Sequence, residues 1–273
     1  MTMVKTFKIV VYIFALIGFC LVGGYFAVMV GFTNESGIID NQQSTFIENG
    51  KFKSVKVNLD WTKNEEWNIL RQAIVKDAPV IYRASYDAGV DPRLLVAILV
   101  PEQLRLFHSE RAIFEKIFSP LKILGNQSQF SWGIMGIKQE TARKIESNLK
   151  DLSSDFYLGL DSESMLDFTG ENPDQERFER LVNEKDHYYS YLYAGLYIRQ
   201  VVAQWKKAGV DISQRPEIIA TLYNIGFKNS IPKEKPLSGG SAIEIGKNKY
   251  SFGSLAGFFY YSGELKEQFP RGY

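Results

Sequence analysis

Three short segments carry the chemistry that this chain can hold. Glu102 closes the run Leu94-Leu95-Val96-Ala97-Ile98-Leu99-Val100-Pro101. A carboxyl delivered by so apolar a stretch is desolvated, which favours the protonated form that a general acid needs. Ser131-Trp132-Gly133-Ile134-Met135-Gly136 offers a glycine-containing turn, and Tyr223-Asn224 offers a hydroxyl and a carboxamide that can hold a polar ligand. Together these are the parts of a cleft that grips a polar chain and hands it a proton. Singly, each has a plainer reading: Glu102 as a helix glutamate paired with Arg105 three residues on, Tyr223 as a buried tyrosine, Asn224 as a helix cap before Gly226, and Gly133 and Gly136 as turn residues only.

The elements that must position these groups are helices. From Glu65 to Tyr86 the residues Trp67, Leu70, Ile74, Ala78, Ile81 and Tyr82 recur at three- and four-residue steps, the period of an amphipathic helix. Ala88-Gly89-Val90 ends it, and Asp91-Pro92 opens the next with an N-cap and a proline at the first helical position. That second helix delivers Glu102, and Pro101 is expected to kink or terminate it. Further helices are expected over Gln139–Leu149, His187–Ala208 and Pro216–Asn224, and a helix and loop within the mixed aromatic and aliphatic stretch 104–129. Residues 151–186 turn acidic and read as a surface insertion with some helix near Gln175–Glu184, while the glycine- and aromatic-rich tail 232–273 shows no clear period.

Ahead of these helices, Ile9–Phe32 holds 24 mostly apolar residues with no charge, more than the ~20 that a helix needs to cross the hydrocarbon layer. Lys5 and Lys8 precede the run and Glu35 and Asp40 follow it, so the positive-inside rule puts the N-terminus in the cytoplasm and the rest outside. A cleaved signal peptide fits less well, because the run is long and no small-x-small site ends it. Ile17-Gly18-Phe19-Cys20 is a poor lipoprotein signal because of Phe19. Residues 1–32 are therefore expected to be a cytoplasmic N-terminus and membrane anchor, 33–64 a linker with one short strand, and 65–273 one mainly α-helical domain with the acidic insertion at about 151–186. The single cysteine, Cys20, lies within the anchor, so the outer domain must hold together without a disulfide. With 32 basic and 31 acidic residues the net charge is +1, and no basic block interleaved with aromatics suggests a nucleic acid partner.

The order of the motifs resembles that of the lysozyme-like lytic transglycosylases, the soluble lytic transglycosylase and goose-type lysozyme superfamily. Members typically show Asp-Pro opening an apolar helix that ends on the catalytic Glu, then Gly-Leu-Met-Gln followed by Thr-Ala, then Ala-Tyr-Asn near a glycine. This chain has Asp91-Pro92 before Glu102, Gly133-Ile134-Met135 with Thr141-Ala142, and Tyr223-Asn224-Ile225-Gly226. Tyr193-Ala194-Gly195-Leu196-Tyr197-Ile198 is similar to the Ala-Gly helix between the last two motifs, so the likeness spans about residues 66 to 229. Two positions depart from it. Gln103 stands where the family has Ser, and Gly136 where it has Gln.

The resemblance implies a lysozyme-like fold and cleavage of the MurNAc-GlcNAc bond of peptidoglycan on the outer side of a bacterial membrane. Glu102 would be the catalytic acid and then base. Substrate contacts would come from Ser131, Gly133, Met135, Tyr223 and Asn224, with Ser131 and Met135 on the cleft wall. Assistance by the substrate's N-acetyl group and attack by its C6 hydroxyl, giving a 1,6-anhydro product, removes the need for a second carboxylate. No cofactor or metal is implied. The two departures keep a non-catalytic glycan-binding or scaffold protein open, and a hydrolytic muramidase is a third reading; envelope protein partners are undefined. His108 and His187 lack a Cys partner for zinc and read as surface or packing residues. Tyr188, Tyr191 and Tyr197 recur at helical spacing and read as core before sugar platforms.

Overall fold

The computed structural model describes residues 59–108 and 131–271, with residues 12, 18–19 and 22 and three short strands nearer the N-terminus. Seven helices stand among the described residues: α1 (Glu65–Ala88), α2 (Pro92–His108), α3 (Gln139–Lys150), α4 (Pro173–Val182), α5 (Tyr188–Lys207), α6 (Pro216–Ile225) and α7 (Phe252–Tyr261). The strands are β1 (Gly37–Ile39), β2 (Ile47–Glu48), β3 (Lys51–Phe52), β4 (Ser131–Trp132), β5 (Ile137–Lys138), β6 (Gly239–Ile245) and β7 (Asn248–Ser251). The domain is mainly α, as its sequence period predicts.

Local signals set the first helix pair. At the end of α1, Gly89 takes φ +68°, its N–H reaches the Tyr86 carbonyl and the Val90 N–H reaches Ser85, the paired bonds that stop a helix at a left-handed residue. Asp91 Oδ1 then accepts the Arg93 N–H at 2.8 Å, capping α2. Every residue from Arg93 to Glu102 is buried, so α2 is the central rod of the core, packed by α1, α6, α7 and β6. Pro101 does not end it. The helix continues through the proline to His108, and burial on all sides outweighs the one backbone bond that the proline forfeits.

The tail without a clear period folds as β6, β7 and α7. In an antiparallel sheet of order β1-β6-β7, Gly37 faces Ser241 and Ala242 faces Ser251. Arg93, fully buried, fastens this tail to α2 with five N–H bonds of 2.7–3.0 Å to the carbonyls of Phe259, Tyr260, Ser262, Glu264 and Phe269. All five donors of the guanidinium are thereby used. The stretch expected to be a linker contributes to the core as well. Trp61 is fully buried, its ring edge-on to Trp67 at 4.9 Å.

The acidic stretch is more than a solvated insertion. Its helix α4, capped by Asn172 Oδ1 on the Gln175 N–H, buries Leu181 and Arg177. Arg177 grips Glu146 of α3 through two bonds of 2.6 Å, and Tyr193 of α5 donates to the same carboxylate at 2.6 Å. No helix among the described residues is long and apolar enough to cross a membrane. The expected anchor Ile9–Phe32, apart from four positions, and the expected helix and loop beyond His108 lie outside the described residues.

Candidate active site

Glu102 sits six residues before the end of α2, and only 3% of it is exposed. A buried carboxylate needs a partner. It has one in Arg105, whose Nη2 lies 2.6 Å from Glu102 Oε1, the pairing that the plainer reading of this residue expects. The neighbouring Gln103 reaches the chain segment beside it, its Nε2 donating to the Ile134 carbonyl.

Ile134 belongs to the turn that joins β4 to β5, a hairpin in which Trp132 faces Ile137. Both glycines of the turn have positive φ, +64° at Gly133 and +62° at Gly136, and the Gly136 N–H closes it on the Gly133 carbonyl at 3.2 Å. A Cβ on Gly136 would fall 2.0 Å from Glu102 Oε1, and one on Gly133 would fall 2.0 Å from the Leu181 carbonyl oxygen. The turn is therefore wedged between the end of α4 and the Glu102 carboxyl. Position 136 must be glycine for conformation and for space alike.

Three helices fix this turn through its peptide groups. Besides Gln103 of α2, Ser190 Oγ of α5 accepts the Met135 N–H at 3.3 Å, and the Tyr223 hydroxyl of α6 donates to the Met135 carbonyl at 2.8 Å. Burial first, then the charge of nearby Glu102, pushes the Tyr223 phenol well above its ordinary value of 10.0, so it remains a neutral donor. Tyr197, fully within the core, meets the Tyr223 ring edge-on at 5.0 Å.

The structure thus joins Glu102, Gly133, Gly136 and Tyr223 in one constellation. Other expected site residues stand differently. Met135 is wholly buried, so its peptide group, not a side chain on a cleft wall, is what it contributes. Asn224 turns to the sheet: its Oδ1 accepts the Ser241 N–H at 2.7 Å and the Ser241 hydroxyl at 3.0 Å, bracing α6 against β6. The backbone of Ser131 pairs with Lys138, and its side chain lies outside the described residues. Sequence reading missed Ser190, which carries no signal of its own among three tyrosines, and took Gln103 only as a departure. Its reach across to Ile134 depends on a contact 31 residues away.

Elsewhere, His187 Nδ1 lies 2.5 Å from Asp77 Oδ2, which also accepts from the Tyr191 hydroxyl at 2.9 Å, a tie between α1 and the start of α5. Among the described residues no three His, Cys, Asp or Glu side chains gather as a metal site. Comparison with protein-family models, curated proteins and solved structures finds no match for the chain.

Proposed function

We propose that this protein is a membrane-anchored peptidoglycan lytic transglycosylase with a lysozyme-like domain, held by its N-terminal segment in a bacterial cytoplasmic membrane and facing the cell wall. One observation carries the reading: segments around residues 102, 135 and 223 converge, with a glycine turn closed on a buried glutamate and a tyrosine holding that turn. A carboxyl fixed in this way, once a glycan strand uncovers it, would be positioned for proton transfer to a leaving glycosidic oxygen.

In this scheme the pair with Arg105 opens as a glycan strand enters, and the Glu102 carboxylate takes up a proton from water. Glu102 then passes that proton to the oxygen between MurNAc and GlcNAc, and the C1–O bond breaks as the N-acetyl carbonyl oxygen bonds to C1. Glu102 next removes the proton of the C6 hydroxyl, whose oxygen displaces the acetamido oxygen to leave a 1,6-anhydro end. Gly136 belongs to the design here: it gives the carboxyl the room that a glutamine at that position would occupy.

A second reading has its own support. The carboxyl is covered and ion-paired, the state expected of a glycan-binding or scaffold protein without turnover. Purified sacculi incubated with the detergent-solubilised full chain separate the readings by mass spectrometry of what is released. Anhydro muropeptides that disappear in Glu102→Gln are the expected result. Reducing-end sugars would mean a muramidase, and co-pelleting without release would mean a binder.

A further inference from the structure

A cavity of about 400 Å3 lies on the other side of α5 from the glycine turn. Tyr188, Leu192 and Arg199 line it from one stripe of the helix, at steps of four and seven, whereas Ser190 projects roughly half a turn away. Its size falls within the range of small-molecule sites. The apolar lining is Leu158, Met165 and Leu192, and charges of both signs stand around it: Asp87 and Asp161 against Arg199.

None of these three charged groups forms an ion pair among the described residues. Two of them are nonetheless held in place, while Asp161 is exposed. Arg199 Nη1 donates to the Ala88 carbonyl at 3.1 Å, and Asp87 Oδ2 accepts the Tyr188 hydroxyl at 2.7 Å. The Tyr188 ring carries the Arg83 guanidinium 3.8 Å from its centre, so one of its faces is already taken and it makes a poor sugar platform. An apolar guest would desolvate three charges without compensation. A simple anion or cation would satisfy only one side.

We propose that this cavity is a second binding site, taking a dipolar guest of the short-peptide class: ammonium toward Asp87 and Asp161, carboxylate toward Arg199, and an aliphatic side chain on Leu158, Met165 and Leu192. Charge-assisted bonds at the two ends give recognition, and the apolar wall gives area. The site uses no residue of the Glu102 constellation and stands or falls independently of glycan cleavage.

Isothermal titration of the full chain with L-alanyl-L-leucine, its N-acetyl derivative and its C-terminal amide tests this directly. The free dipeptide is expected to bind, with each blocked form weaker by about tenfold or more, the loss of one charge-assisted contact. Arg199→Met should bind the dipeptide and its amide alike, and Asp161→Asn, a change at an exposed turn residue, should narrow the gap to the N-acetyl form. Glu102→Gln should bind the dipeptide as the parent does. Absence of dipeptide binding, equal affinity for free and blocked forms, or unchanged discrimination in both variants would overturn the proposal.

Discussion

Position 136 shows how much of a site can rest on the absence of a side chain. Gly136 combines a left-handed φ with direct contact to the Glu102 carboxyl, so either constraint alone would select glycine. Gly136→Ala is expected to lose about 1–3 kcal/mol, from backbone strain and overpacking together, measured by urea unfolding. It should also displace Glu102 and reduce release from sacculi by more than the lost stability explains. An alanine variant as stable and as active as the parent would remove the turn from the site. The same proximity gives the departure at residue 136 a physical meaning: glycine here and the buried placement of Glu102 go together.

Helices position these residues through contacts that cross between elements. The Glu146, Arg177 and Tyr193 cluster joins α3, α4 and α5, and α4 in turn presents the Leu181 carbonyl against which Gly133 rests. Arg177 is buried and Glu146 largely covered, so removing the cation leaves a mostly desolvated carboxylate without its countercharge. Arg177→Met should cost about 3–5 kcal/mol and loosen α4, read as faster amide exchange over 173–182 than over α2. Uniform exchange in both helices would mean that α4 has no separate dependence on this cluster. Pro101 teaches the complementary point: a proline expected to interrupt α2 is carried because the helix is enclosed on every side.

At the scale of the whole molecule, stability against pH should bear the mark of Glu217. It is 1% exposed at the start of α6, with Arg215 Nε at 2.6 Å from Oε1 and no hydrogen-bond partner for Oε2 among the described residues. Burial raises its pKa above the ordinary 4.5, with Arg215 offsetting only part. The folded state then binds this proton more tightly than the unfolded state. Its contribution is fully present below the unfolded pKa and is lost as pH climbs through the folded one. Urea unfolding at a series of pH values should therefore show a smaller decline from acid toward neutral pH in Glu217→Gln than in the parent. A parallel decline in both would assign the loss to other groups.

Much of the helical skeleton was legible in the residues alone, because its determinants are local. Three- and four-residue apolar steps, a glycine stop at 89 and the Asp91-Pro92 start act within a turn or two of the chain, so α1, α3, α5 and α6 fall close to their expected bounds. The order of the Glu, Gly-turn and Tyr-Asn segments was legible for the same reason. Tertiary structure decided what those segments do to one another. Glu102 meets Gly136 and pairs with Arg105, Tyr223 holds the turn, and Asn224 braces β6 in place of facing the carboxyl. The start of β6 pairs with β1 from far back in the chain, and the docking of the tail rests on Arg93 reaching five carbonyls more than 160 residues away. Such contacts carry no period and no local motif. They exist only once burial has brought distant peptide groups together and obliged each to find a partner.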